Sequence, residues 1–492
     1  MVYPILHQGK WNPLAVVVLA TAEGERVPVA AYADSKGTSF VIRDDDPGED
    51  HGTVVARLMD RLVGPGALKV VYGHAGGRHD LRLLVAEAHR RQWPWQALGG
   101  SGPLVAASVT NPADGFEVRF IDGSRLIPED ASGRVLPPTW EPDNLEERWA
   151  ISPDVVAQGV VSDVTAWLAA AARVTSTLQA HGVTGGGVTL GGLATSWIRE
   201  ARPLASRRLY SREGYKHFER RPWFAGCEDT ARKAHHGGRI QCWYAGMAPV
   251  PLYDYDRQAA YAEAMTHTLP TYPCWIDGPE RNADRVDARL KKVGFSDATV
   301  TCPDGLALPV LPCRTESRLT FPRGTFRGVW AHVELARAVR EGYDVELHQT
   351  QFWRSATWLA PFVRSFWPVR QAASQRGDAV VAQAIKTFIN VVPGRLLERS
   401  DKARLVSGHS YRARAFEAAM AVGRLPSFDA LWSDTVSEAT WDERGGCVHA
   451  AAGAWVLALG RLGLYDFLDA VQKEGGWLFY THTDSVISVE TR

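Results

Sequence analysis

The stretch Phe479–Ile487 constrains this chain most. Phe479-Tyr480-Thr481-His482 and Ser485-Val486-Ile487 are strand-forming runs, and only Thr483 and Asp484 separate them. So brief a connection predicts a tight antiparallel β-hairpin with a carboxylate at its tip. A lone carboxylate on a turn is more often a cap than a catalyst. Chemistry at this tip needs a partner from elsewhere in the chain.

The chain is 492 residues long, enough for two or three domains with separate cores. Its 45% hydrophobic and 22% charged residues are those of a globular protein. No run of 18 apolar residues occurs, so no membrane partner is expected. Met1-Val-Tyr-Pro-Ile-Leu-His lacks the basic region and long apolar stretch of a signal peptide. Six cysteines occur without a Cys-x-x-Cys pair or zinc-finger spacing. They read as reduced thiols, which points to an intracellular protein. Net charge is zero, which argues against indiscriminate nucleic-acid binding. Between Arg199 and Arg239, however, eleven Lys/Arg face five Asp/Glu. A local basic belt on a neutral chain fits a phosphate-tracking groove, or else a solvated loop.

Residues 14–20 read as a buried strand, with antiparallel neighbours at 27–32 and 38–43. The acidic run 44–50 reads as a loop. A helix at 54–62, a strand at 68–72 and a helix at 81–91 follow, an α/β layout. The Pro-rich segment 136–142 reads as a surface loop, and 154–174 as a helix. A Gly-rich turn at 182–187 sets a domain boundary near 180–200. Helical stretches follow at 329–341, 359–392 and 453–472.

Two further segments carry chemistry. In Leu252-Tyr-Asp-Tyr-Asp256-Arg257-Gln-Ala-Ala-Tyr261, a strand ends at Asp256 and a helix opens with Tyr261. On the 359–392 stretch lie Arg370, Lys386 and Asn390. Lys386 and Asn390 are four apart and share one helix face. Singly, each has a plain structural reading: a cap, a core aromatic, a solvated lysine. Together they suit in-line phosphoryl transfer, in which two divalent ions roughly 3.5–4 Å apart clamp the attacking and leaving oxygens. Asp256 and Asp484 would hold the ions, and a cationic helix face would hold the triphosphate.

In this order the segments resemble those of family B DNA polymerases, most closely the protein-primed branch of phages and linear plasmids. Asp256-Arg-Gln-Ala-Ala-Tyr261-Ala is similar to motif A, Asp-x-x-Ser-Leu-Tyr-Pro. Lys386-x-x-x-Asn390 with Gly394 is similar to motif B. Tyr480-x-His482-Thr-Asp484-Ser485 is similar to motif C, Tyr-x-Asp-Thr-Asp-Ser. His235-His-Gly237-Gly238-Arg239 resembles the Tyr-x-Gly-Gly segment that links exonuclease and polymerase domains, and 328–343 resembles the region ahead of motif B.

The resemblance implies an α/β and α+β multidomain fold. It places a ribonuclease-H-like exonuclease domain at 1–185 and a basic linker with the start of the palm at 186–250. Palm with motif A and an insertion follows at 251–328, fingers with motif B at 329–395, and palm with motif C at 396–492. It implies template-directed addition of dNTPs to a primer on template DNA, with two Mg²⁺ or Mn²⁺ ions. Asp256 and Asp484 would be the metal ligands, with the Arg257 carbonyl as a third. Tyr261 would be the steric gate under the sugar. Lys386 and Arg370 would meet the triphosphate, and Asn390 the nascent base pair. Gly237, Gly238 and Arg239 would meet DNA.

The chain departs from the pattern in places. The first exonuclease motif, Asp-x-Glu, is replaced by Leu19-Ala-Thr-Ala-Glu23. Asp80, after His74–His79, and Asp163 remain, and read as relict residues of an inactive exonuclease. Motif B has Val391 and Pro393 for Ser and Tyr, motif A has Ala259 and Ala262 for Ser and Pro, and motif C has His482 for its first Asp. Relatives continue past motif C into a thumb, whereas this chain stops eight residues after Asp484. Either a separate thumb-supplying subunit is an expected partner, or the chain does not hold duplex in the usual way; the protein-primed resemblance adds a terminal protein as a partner.

Two other classes stay open. One is a catalytically silent polymerase-like protein that binds nucleic acid or a partner. The other is a nuclease built on the N-terminal domain, which the missing carboxylate pair disfavours. A reverse transcriptase would need adjacent aspartates in motif C. His235, His236 and His482 match no common zinc spacing.

Overall fold

The computed structural model describes residues 14–20, 27–45, 53–64, 66–73, 80–98, 105–128, 145–184, 187–201, 222–248, 250–315, 318–398, 401–407, 435–441 and 449–489. The Pro-rich segment 136–142, most of the acidic run, Thr21–Glu23, His74–His79 and half of the basic belt lie outside these residues.

In chain order come β1 (Ala15–Ala20), β2 (Val29–Asp34), β3 (Ser39–Arg43), α1 (Val54–Leu62), β4 (Val70–Gly73) and α2 (Asp80–Arg90). Then follow β5 (Trp95–Leu98), β6 (Ala106–Thr110), β7 (Glu117–Asp122), α3 (Leu145–Ile151), α4 (Pro153–Ala180) and α5 (Leu190–Ala201). Next are α6 (Pro222–Lys233), β8 (Ile240–Cys242), β9 (Tyr253–Asp256), α7 (Ala260–Thr266), β10 (Leu269–Asp277), α8 (Ala283–Leu290) and β11 (Gly294–Cys302). After them come β12 (Cys313–Arg314), β13 (Leu319–Thr320), β14 (Gly324–Ala331), α9 (His332–Arg340), β15 (Asp344–Ala356), α10 (Ala360–Gln375) and α11 (Ala379–Leu397). The chain closes with β16 (Asp401–Ser407), β17 (Thr435–Trp441), α12 (Ala450–Lys473), β18 (Leu478–His482) and β19 (Ser485–Ser488). These elements form two compact units: 1–196 with 367–388 and 399–443, and 197–366 with 389–398 and 444–492.

The first unit is built on a nine-stranded sheet of order β17-β16-β5-β6-β7-β4-β1-β2-β3. β3, β2 and β1 are antiparallel, and β4 and β7 continue parallel to β1. That succession is the ribonuclease-H-like arrangement expected from the sequence. β1 reads Ala-Val-Val-Val-Leu-Ala, and all six residues are buried because both faces of the sheet are covered. Ala15, Val17 and Leu19 pack with Leu58 and Met59 of α1 and with Leu81, Leu84 and Val85 of α2. α4 lies against β1 and β2 and buries Val160, Val164 and Trp167. Thr53 caps α1 by accepting from the Ala56 N–H.

Among the described residues the second unit holds two four-stranded sheets and the two-stranded ribbon β12–β13. β10-β15-β11-β14 is wholly antiparallel. It shares a core with α8 and α9 through Val286, Leu290, Val300, Trp330, Leu335 and Leu347. The smaller sheet, β8-β18-β19-β9, is also antiparallel. Leu464, Leu468 and Val471 of α12 pack with Leu478 and Val486 of that sheet.

Two boundaries differ from the sequence reading. The helical stretch expected at 329–341 opens as the end of β14 and becomes helical only from His332, as α9. The single stretch expected over 359–392 is broken after Gln375, where Gly377 adopts φ +75°. Three helices, α4, α11 and α12, are long and apolar enough to cross a membrane by length and composition. In the fold, 44%, 44% and 67% of their most apolar windows is buried against protein.

Trp167 is wholly buried and meets Tyr72 at 5.1 Å between ring centres. Trp167→Ala should cost the first unit about 3–5 kcal/mol through lost burial and the cavity left behind. The measurement is the midpoint of urea unfolding.

Candidate active site at the tip of the small sheet

The hairpin β18–β19 forms as the sequence predicts, with Thr483 and Asp484 at its turn. Asp484 donates its N–H to the His482 carbonyl at 2.7 Å, closing a three-residue turn around Thr483. Thr483 has φ +63°, an unfavourable conformation for a β-branched residue. Two contacts compensate. The Thr483 N–H donates to the Arg239 carbonyl at 2.8 Å, and the buried Thr481 hydroxyl donates to the Ser485 carbonyl at 2.6 Å.

β9 runs beside β19 with Asp256 opposite Ser485. The Arg257 N–H then donates to the Asp484 carbonyl at 2.9 Å. Two aspartates 228 positions apart in the chain thus sit on adjacent backbones at the same end of one sheet. Cross-strand pairing also sets the faces. His482, Ser485 and Asp256 lie in one row on one face, and Asp254 lies two residues up β9 on that face. Asp254 and Asp256 are exposed, whereas Tyr255 points the other way and meets Phe467 of α12. The sequence reading passed over Asp254, although the Tyr-Asp-Tyr-Asp alternation of β9 marks it.

Tyr261 enters on the first turn of α7, after Ala259 turns the chain at φ +63°. Its ring lies against Gly460 of α12, where a Cβ would stand 3.1 Å from Cε1. Burial pushes the phenol above its usual range; Arg461 opposes that shift and Asp484 adds to it. Tyr261 is therefore within electrostatic reach of the hairpin carboxylate.

Behind the tip is a buried ion pair that the sequence did not reveal. Arg461 donates from Nε to Glu334 Oε1 at 2.9 Å, and Nη2 stands 2.8 Å from the same oxygen. The residues are only 5% and 1% exposed. Arg461 Nη1 also donates to the carbonyls of His236 and Gly237. The pair spans 127 positions, so no local pattern could signal it.

The His235–Arg239 segment serves this scaffold. A Cβ on Gly238 would stand 2.8 Å from Thr483 side-chain atoms, so glycine is required there by packing against the turn. Gly237 has open space around its missing Cβ. The expected DNA contact by the Arg239 side chain does not fit the structure, since Arg239 is only 2% exposed. Its guanidinium donates to Gln241 Oε1 and the Pro309 carbonyl, and stands 4.1 Å from the centre of the Phe321 ring. Burial lowers its pKa to about 10.

Lys386, Asn390 and Gly394 are exposed at four-residue spacing along α11. Arg370 of α10 is half-buried, its guanidinium 4.6 Å from the centre of the Trp367 ring. Lys386 and Arg370 belong to the first unit, and Asn390 to the second.

In the first unit, Asp80 opens α2, Asp163 lies on α4, and both are buried. Burial, reinforced by the charge of Asp122 at the end of β7, raises the Asp80 carboxyl to about 7. Asp122, which the sequence reading did not single out, accepts from the Ser124 N–H at 3.1 Å. Among the described residues, no group of three or more His, Cys, Asp or Glu side chains is gathered to hold a metal. At the hairpin site, two carboxylates and the Arg257 carbonyl suit magnesium, which takes one or two carboxylates and completes its shell with water and substrate phosphate.

Residues 225–402 match the family model for DNA polymerase type B, organellar and viral. Over that stretch the chain is similar to the family. The stretch carries Asp256, Tyr261, Lys386 and Asn390, and the hairpin lies beyond it. No curated protein sequence matches the chain. Among solved structures, the chain is similar to Phi29 DNA polymerase complexed with primer-template DNA and incoming nucleotide substrates. The TM-score is 0.66 at 12% identity, over 98% of this chain and 81% of that one. The post-translocation binary complex of Phi29 DNA polymerase with primer-template DNA gives 0.63 at 12% identity, over 98% and 80%. At that identity the likeness shows the fold alone.

Glu334→Ala should destabilise the second unit by about 3–5 kcal/mol, because Arg461 is left buried without its carboxylate. Glu334→Leu with Arg461→Met should cost much less, as both charges leave together; thermal unfolding of the two variants compares them. Asp80 offers a separate check. Its folded-state pKa is raised to about 7 from an unfolded value of about 3.9. Its contribution to stability is then full below the lower value and is lost as pH rises through the upper one. Asp80→Asn should therefore flatten the fall in melting temperature between pH 5 and pH 8.

Proposed function

We propose that this chain is a template-directed DNA polymerase that adds dNTPs to a priming hydroxyl by phosphoryl transfer. The observation that carries the reading is the placement of Asp256 and Asp484 on adjacent strand ends, joined by the hydrogen bond from Arg257 N–H to the Asp484 carbonyl. The family match over 225–402 supports it.

Asp256, Asp484 and the Arg257 carbonyl would hold the divalent ions. Bound there, Mg²⁺ or Mn²⁺ would activate the attacking hydroxyl and neutralise charge on the leaving oxygen. Tyr261, backed by Gly460, would stack under the incoming sugar and crowd a 2′-hydroxyl. Lys386 and Arg370 would offset triphosphate charge, and Asn390 would face the nascent pair. The open backbone at Gly237 would allow close approach of the template strand.

Proofreading is not part of the proposal. The chain has Leu19-Ala-Thr-Ala-Glu23 where the resemblance expects Asp-x-Glu, so a carboxylate that a two-metal exonuclease site needs is missing. The first unit would then contribute its fold alone and degrade no single-stranded DNA.

Asp256→Ala and Asp484→Ala should each lower Mg²⁺-dependent dNTP incorporation on a primer-template by at least about a hundredfold. Primer-template binding in a filter or anisotropy assay should persist. A wild-type chain that binds primer-template but incorporates nothing, with either metal, would instead establish the catalytically silent reading.

A further inference from the structure

We infer that Arg257, through its side chain, is a positioning residue that fixes Tyr261 relative to Asp256 and so sets the sugar selectivity of the site. The inference rests on the polymerase reading.

Three contacts carry it. First, Arg257 Nη2 donates to Glu263 Oε2 at 2.6 Å. Arg257 follows Asp256 directly, and Glu263 lies two residues beyond Tyr261. The ion pair therefore bridges the turn that separates the metal-ligand position from the gate. That turn contains Ala259 at φ +63°, a strained conformation for alanine that needs outside support. Second, the guanidinium lies over Gly463 in the interior of α12, and a methyl group there would overlap it. Glycine is unfavourable inside a helix relative to alanine, so the position serves something else. Third, Gly460 lies three residues earlier on the same face of α12 and meets the Tyr261 ring. Two glycines on one helix face thus receive the two side chains that flank the strained turn.

As a surface ion pair the contact contributes little to stability: the side chains are 28% and 53% exposed. Its effect is geometric. With the backbone of Arg257 held by Asp484 and its side chain by Gly463 and Glu263, the turn has one arrangement. Released, it lets Tyr261 move against the sugar while the backbones that carry Asp256 and Asp484 stay hydrogen-bonded across the sheet.

The test compares kcat/KM for a dNTP and the matching rNTP on a primer-template. It uses wild type, Arg257→Ala, Gly463→Ala and the double variant, with melting temperatures alongside. Each single substitution should lower discrimination against the rNTP by roughly tenfold, since a displacement near 1 Å at a reacting centre is costly. The double variant should be no worse than Arg257→Ala alone, because the added methyl then fills vacated space. Should Gly463→Ala fail to fold, Arg257→Ala, which only removes atoms, still decides the matter. Unchanged discrimination in Arg257→Ala, or independent multiplication of the two effects, overturns the inference while the polymerase reading stands. A wild type that incorporates neither nucleotide overturns both.

Discussion

The candidate site depends on one buried ion pair, Arg461 with Glu334. Arg461 reaches from α12 to Glu334 on α9, and also to the carbonyls of His236 and Gly237. That segment continues into Gly238, packed on Thr483, and into the Arg239 carbonyl, which accepts from the Thr483 N–H. The hairpin turn then presents the Asp484 carbonyl to the Arg257 N–H, next to Asp256. A continuous set of contacts thus links a buried charge to both candidate metal ligands. Desolvating such a pair is expensive, and apolar residues of similar shape would serve stability as well or better. What they would lack is the donor set that fixes two backbone carbonyls as well as a carboxylate.

Strain is concentrated where the chemistry is placed. Three non-glycine residues among those described have positive φ, and two of them are Ala259 and Thr483. One precedes Tyr261 and the other Asp484. Both turns are supported from outside their own sequence, Thr483 by the Arg239 carbonyl and the Ala259 turn by α12. The support must come from elsewhere because neither residue adopts such a conformation unaided at low cost.

Legibility in the sequence followed the range of the interaction. Strand β1, helix α1 and the hairpin are local patterns of apolar periodicity and turn length, and they were readable within a residue or two. The pairing of Asp256 with Asp484 has no local signature and was reached through the order of motifs. Arg239 shows the limit of reading charge. A cation in a basic belt beside two glycines suggests a nucleic-acid contact, yet aromatic rings and a carbonyl enclose it. Only tertiary packing decides whether an arginine faces solvent or lies under Phe321. The break between α10 and α11 was missed for a related reason: apolar periodicity continues through a short turn when both helices have a buried face.

His482 raises the question of charge at the tip, and the register of the sheet answers part of it. His482 stands in the row Ile240–His482–Ser485–Asp256, where the resemblance expects a carboxylate. Asp254 stands on the same face, one row away, on the edge strand β9. The formal number of carboxylates on this face is therefore the same as if position 482 were aspartate and 254 were not. Their distribution differs. β18 and β9 are separated by β19, which at about 4.8 Å per strand moves one negative charge roughly 10 Å across the sheet. Attraction for a divalent ion falls with distance and with solvent screening, so the two arrangements are not equivalent. In this chain the negative charge is gathered on the Asp256 side of the tip, beside Arg257 and the turn that carries Tyr261.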